Sequence, residues 1–166
     1  MSSYSKLIVF IAVLIIVSLA IVTIDSSMDN INKSMPEISE GIVQGDKDYN
    51  ESVNLLNNKQ YDDSMKKAES AGDNYNDSLK KLMDVRDKFH DDLKDIHRDY
   101  LDTTIEELQL KLDAVDELKE SISYLKMYYN YTGSTHASEA NDIIYDAIKY
   151  QNERNQIVKD NPKLFN

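Results

Sequence analysis

Hydrophobic residues run without a break in one part of this chain and recur at every third and fourth position in the rest. From Leu7 to Ile24, fourteen of eighteen positions are Leu, Ile, Val or Phe, only Ser18 and Thr23 are polar, and no charge intervenes. As a helix this run would extend roughly 27 Å, close to the thickness of a bilayer's hydrocarbon core, so the pattern predicts a transmembrane helix over 7–24. Farther on, the sixty residues between Gly72 and Gly133 include neither Gly nor Pro. Tyr75, Leu79, Leu82, Phe89, Leu93, Ile96 and Tyr100 make one apolar seam there, interrupted by Arg86. Leu101, Ile105, Leu108, Leu112, Val115, Ile122 and Tyr129 make a second, with Lys119 as its exception and Leu118 and Leu125 widening it. This is helical periodicity, close to that of a coiled coil. The two seams are one residue out of phase, and Thr103 with Glu106 suits a capping box at the shift, so a break or kink is expected near Asp102.

Upstream, Ser34 and Pro36 suit the start of another helix, whose first turns Gly41 and Gly45 weaken. Gly133 stands where a C-terminal cap glycine belongs, and Ser134 or Thr135 can open a last helix bearing Ile143, Ile144, Ala147, Ile148 and Ile157, ended by Asp160-Asn161-Pro162. No segment alternates with a period of two. The expected fold is all-α: an N-terminal transmembrane helix followed by an antiparallel bundle of long amphipathic helices. The corresponding division is 1–6 as a short cytoplasmic N-terminus, 7–24 as the membrane helix, 25–36 as a juxtamembrane connector, 37–160 as the bundle and 161–166 as a tail. A faint repeat, Tyr49-Asn50-Glu51-Ser52-Val53, Tyr61-Asp62-Asp63-Ser64-Met65 and Tyr75-Asn76-Asp77-Ser78-Leu79, resembles tetratricopeptide helices, but its spacings of 12 and 14 fit no 34-residue period and that family's Gly and Pro markers are absent, so it reads as reuse of helix-start chemistry. In architecture alone the plan resembles the ectodomains of four-helix sensory receptors. Those receptors add a second membrane helix and a cytoplasmic signalling region, which these residues do not contain.

Charge sharpens this picture. Thirty acidic residues face nineteen basic ones, for a net charge of −11, and of these only Lys6 precedes residue 25. Such a surface repels nucleic acid and anionic headgroups, which excludes nucleic-acid binding. Lys6 on the short side and Asp25 and Asp29 beyond the run favour an N-terminus inside and a C-terminal domain outside the cell membrane. The alternative is secretion after cleavage near Ala20, because Ser18-Leu19-Ala20 has the small-x-small form that a signal peptidase accepts. With no cysteine there is no disulfide, thiolate metal site or lipoprotein attachment, so stability rests on helix packing.

Candidate chemistry is sparse. Asp46-Lys47-Asp48-Tyr49-Asn50 begins like a calcium loop but has Glu51 where the turn needs Gly and Asn57 where a bidentate Glu belongs, so it reads as a solvated helix start. Asp87, His90, Asp91 and His97 fall at spacings that would put them near one helix face, making them the metal candidates. A carboxylate-bridged diiron bundle needs more, however, and no metal or cofactor is expected. His136 follows Gly133-Ser134-Thr135 without any recognised nucleophile motif, so it reads as part of a helix cap and no catalytic residue is assigned.

Tyr124, Tyr128, Tyr129 and Tyr131 cluster before Gly133, with Tyr145 and Tyr150 following, so a helical hairpin would gather several phenols around one turn. They suit either the end of a core with hydroxyls turned to water or a recognition patch, and Tyr124, Tyr128, Tyr129, Tyr131 and Tyr145 are the binding candidates. Asn32, Asn50, Asn76 and Asn130 stand in glycosylation sequons compatible with an exported surface. The expected function is a non-enzymatic, membrane-anchored extracytoplasmic module that binds a partner protein, envelope component or small ligand. Behind it stand a structural spacer or self-assembling envelope subunit, and then a metal-dependent enzyme around His90 and His97.

Overall fold

A computed structural model describes residues 29–165, with side chains from Ser34 onward. The membrane helix expected over 7–24 and the N-terminus before it lie outside these residues, whereas positions 29–36 of the expected connector are already helical in α1; among the described helices none is long and apolar enough to cross a membrane. Four helices and no strand are present among the described residues: α1 Asp29–Asn57, α2 Tyr61–Lys88, α3 Asp95–Lys126 and α4 Asn130–Asp160. They run up and down, with α1 against α2, α2 against α3 and α3 against α4, while α1 only grazes α3. The fold class thus matches the periodicity.

Three of the helices bury a stripe spaced three and four residues apart. On α1 it comprises Met35, Ile38, Ile42, Gly45, Tyr49, Ser52 and Leu56. On α2 it runs Ser64, Ala68, Ala71, Tyr75, Ser78, Leu82 and Val85, and on α4 Gly133, Ala137, Ala140, Ile144, Ala147, Gln151 and Arg154. A mean period of 3.5 keeps one face against a neighbour over the helix's whole length. The small residues let backbones approach closely: a Cβ added to Gly133 would meet Leu125 Cγ at 2.6 Å. Ser52 and Ser64 lock α1 to α2 by exchanging hydroxyl-to-carbonyl hydrogen bonds, each 2.8 Å. Helix α3 touches both α2 and α4 and buries a broader face, from His97 to Leu125.

Boundaries differ from the expected ones. The chain breaks at residues 89–94, not near Asp102, and α3 continues through Thr103 and Glu106. The phase shift between seams is the width of α3's buried face, where Tyr100 and Leu101, then Thr104 and Ile105, are buried as adjacent pairs. At the true break, the last turn of α2 is closed by Phe89 donating its N–H to the Val85 carbonyl at 3.2 Å, and the exposed His90-Asp91-Asp92 run offers nothing to bury. Pro36 lies inside α1 on an exposed position. Gly133 lies inside α4 and not at a cap, because the left-handed position is taken by Tyr128 at φ 64°. The C-terminal tail docks on the bundle: Phe165 is buried with its ring edge-on to His97 at 5.3 Å and tilted against Tyr100 at 5.4 Å.

Candidate functional site

The middle of the bundle holds a chain of buried charges that joins all four helices. Tyr75 on α2 donates to Asp46 Oδ1 on α1 at 2.7 Å, and Lys111 Nζ on α3 donates to the same oxygen at 2.8 Å. Lys111 also pairs with Glu107 Oε1 at 2.8 Å, and Arg154 Nη1 on α4 stands 2.8 Å from Glu107 Oε2. Both contacts to Glu107 are ion pairs without an aligned hydrogen bond, and Arg154 Nε and Nη2 have no hydrogen-bond partner among the described residues. Two carboxylates and two cations leave the chain formally neutral, the condition under which charges tolerate burial. Around it, burial raises the Tyr100 hydroxyl to a pKa of about 12; Arg154 pulls it down and Glu107 up. Burial likewise raises Tyr49, and burial with the neighbouring Asp46 raises Tyr75. The phenols therefore stay neutral, and no nucleophile or open cleft accompanies them in this layer of the described residues.

Asp46 and Asp48 are not a solvated helix start. Both are buried in mid-α1. Asp48 Oδ2 accepts from Gln44 at 3.1 Å and Ser70 at 2.9 Å, while Lys67 donates to Oδ1 at 3.0 Å. Burial alone would raise the Asp48 pKa, but these donors outweigh it and hold the carboxyl below its usual value. The missed signal was phase: Asp46, four residues after Ile42 and three before Tyr49, borders the stripe beside Gly45, and Arg154 follows Ala147 and Gln151 within its own stripe.

The four metal candidates do not share a face, because α2 ends at Lys88. Asp87 pairs with Arg86 at 3.1 Å, exposed His90 faces Asp91 at 3.2 Å, and buried His97 faces the Leu164 carbonyl through Nε2 at 3.1 Å. A different group converges between α3 and α4. His136 Nδ1 lies 2.6 Å from Glu117 Oε2 and 3.6 Å from Glu139 Oε2, with a ligand atom from each residue within 4.8 Å of the others. The Tyr124 ring stacks flat on the His136 ring at 5.2 Å. His136 is thus in the body of α4 and is no cap.

The tyrosines separate into three settings. Tyr124 is half-buried, its ring edge-on to Tyr129 at 6.4 Å. Met127, Tyr128, Tyr129 and Tyr131 stand in solvent around the α3–α4 turn, with Tyr128 86% and Tyr131 88% exposed. They do not fill the end of the core. Tyr145 is exposed too, but fourteen residues beyond Tyr131 and so about 21 Å along the helix from the turn. Of the sequons, Asn130 is exposed at the start of α4, Asn76 is exposed in mid-α2 and Asn50 is half-buried in mid-α1; the side chain of Asn32 lies outside the described set. A solvent-open groove of about 300 Å³ between α1 and α2 is lined by Glu37, Glu40, Gln44, Asn74, Asp77 and Lys81 among others, a polar wall unlike an apolar ligand pocket. No protein family, curated protein or solved structure matches this chain.

Proposed function

We propose that this chain is a non-enzymatic interaction module, tethered to the membrane through residues 7–24, that offers the α3–α4 turn to a partner protein outside the cell. The observation carrying this reading is the exposed set Met127, Tyr128, Tyr129 and Tyr131, four large side chains on one turn and the adjoining helix start. Aromatic residues and Met are enriched at protein interfaces, and Tyr gives large contact area at low entropic cost. The turn lies at the opposite end of the bundle from the start of α1, roughly 43 Å away along that 29-residue helix, so a membrane anchor before α1 would hold the aromatic tip outward. The acidic surface makes anionic headgroups poor partners for it.

A photo-crosslinking amino acid placed at Tyr128 in living cells should yield an adduct with a distinct protein, and the same probe at Lys59 should not. Failure to recover any second protein, or identical adducts from both positions, would overturn the reading. Adducts of the chain with itself alone would favour the self-assembling subunit.

A further inference from the structure

We propose that Glu117, His136 and Glu139 bind one divalent transition-metal ion of the zinc class, pinning α3 to α4 beside the tyrosine turn. The ligands come from two helices: Glu117 from α3, and His136 and Glu139, one helical turn apart, from α4. Their present spacing, from 2.6 Å to at most 4.8 Å, brackets the separation of about 3.4 Å that ligands need around a tetrahedral ion with bonds near 2.1 Å. Binding requires the 2.6 Å contact to open by about 0.8 Å, the 3.6 Å contact to close by about 0.2 Å and the two carboxylates to approach by no more than about 1.4 Å, and the Glu139 side chain, half in solvent, has room to do so.

Charge points the same way. Both carboxylates face the same imidazole nitrogen, which carries at most one proton and donates to one oxygen at a time. Among the ion pairs of the described residues neither carboxylate meets a lysine or arginine, so even a protonated His136 leaves the group with one net negative charge. A divalent ion balances both carboxylates with the imidazole neutral. The donor set chooses the metal: an imidazole nitrogen suits zinc, cobalt or nickel, whereas calcium and magnesium take oxygen ligands. Three protein ligands leave a fourth position for water. The Tyr124 ring, parallel to the imidazole within 1°, fixes the plane of the ligand and links the site to Tyr129 in the turn.

The proposal stands independently of the partner reading and is tested without it. The full chain, stripped with chelator, is titrated with zinc alone by calorimetry, and bound metal is counted after dialysis. One zinc per chain is expected, with Glu139→Gln weakening binding by at least about tenfold, His136→Ala abolishing it and His90→Ala leaving it unchanged. Cobalt should give the visible absorption of a tetrahedral site in the unaltered chain and in His90→Ala but not in His136→Ala. Because Glu139 is 53% exposed, its variant reports on ligation and not on folding. No stoichiometric uptake of zinc by the unaltered chain, or uptake by the Glu139→Gln and His136→Ala variants equal to that of the unaltered chain, would overturn the proposal.

Discussion

The α1–α2 and α3–α4 turns have the same backbone and opposite surfaces. In the first, Lys59 and Gln60 donate to the Leu56 and Leu55 carbonyls, both at 2.9 Å; in the second, Tyr128 and Tyr129 donate to Leu125 and Tyr124 at 3.1 and 2.9 Å. This is the Schellman closure, and in both turns its left-handed residue is not glycine: φ is 61° at Lys59 and 64° at Tyr128. The two turns lie at one end of the molecule, where Lys126 pairs with Asp62. One presents Asn58, Lys59 and Gln60 and the other Met127, Tyr128 and Tyr129, all of them exposed. Since polar side chains close the same turn, folding does not require the aromatic ones. Their presence in solvent is what makes the second turn the candidate site.

The largest perturbation should bring both hairpins down together. Lys111→Met leaves Asp46 and Glu107 buried without their shared cation and should cost about 3–5 kcal/mol in urea unfolding. Arg154→Met alone should be similarly severe. The double variant Glu107→Leu with Arg154→Met should recover part of that loss, because it removes both members of a buried pair. Loss in only one hairpin would mean that the charged layer does not join them.

Alkali tests the buried tyrosines against that same layer. The unfolded chain releases a tyrosine proton near pH 10, while folded Tyr100 holds its proton up to about 12. The unfolded state therefore binds fewer protons across that window, so stability complete below about pH 10 falls as the pH rises toward 12. Tyr100 alone should contribute roughly 2–3 kcal/mol of loss, and Tyr49 and Tyr75 act in the same direction. Acid acts through Asp48, whose lowered pKa makes its contribution complete above the unfolded value and lost as the pH falls through the folded one. Chemical-denaturation midpoints across both ranges measure these slopes.

Smaller effects separate the two turns. A Cβ at Gly133 would stand 2.6 Å from Leu125 Cγ and 3.1 Å from its backbone nitrogen. Gly133→Ala should thus strain the α3–α4 contact by about 1–3 kcal/mol, partly offset by about 1 kcal/mol of helix propensity, a net loss visible in thermal melts. Tyr128→Gly and Lys59→Gly should each relieve left-handed strain and stabilise by up to about 1 kcal/mol. Only the Tyr128 change should also weaken partner crosslinking through a probe moved to the neighbouring exposed Tyr131. Replacing Met127-Tyr128-Tyr129 by the Asn-Lys-Gln of the other turn should move stability by no more than about 0.5 kcal/mol yet abolish the crosslink from a probe at Tyr131. Retained capture by that chain would sink the recognition role of the turn.

Much of the fold is legible in the residue pattern. Spacings of three and four state helix and face locally, and each turn of helix repeats the message, so an all-helical chain of four or five amphipathic segments and the tyrosine cluster could be read directly. Helix ends were less legible: the break at 89–94 carries no Gly or Pro, and Tyr128 holds the backbone conformation that Gly133 advertised. The charged layer was legible only as charges falling in stripe register, which a solvated face produces equally well.

By itself, then, the chain's order of apolar and polar side chains determined the all-helical class and placed phenols around one hairpin, because helix formation and amphipathic faces depend on residues three or four positions apart. Tertiary structure alone decided that Asp46 meets Lys111 across 65 positions, that Glu117 and His136 face each other from neighbouring helices, and that Tyr75 and Tyr128 have opposite surroundings. Burial and charge pairing are properties of the packed interface. No local spacing specifies which helix will supply the partner.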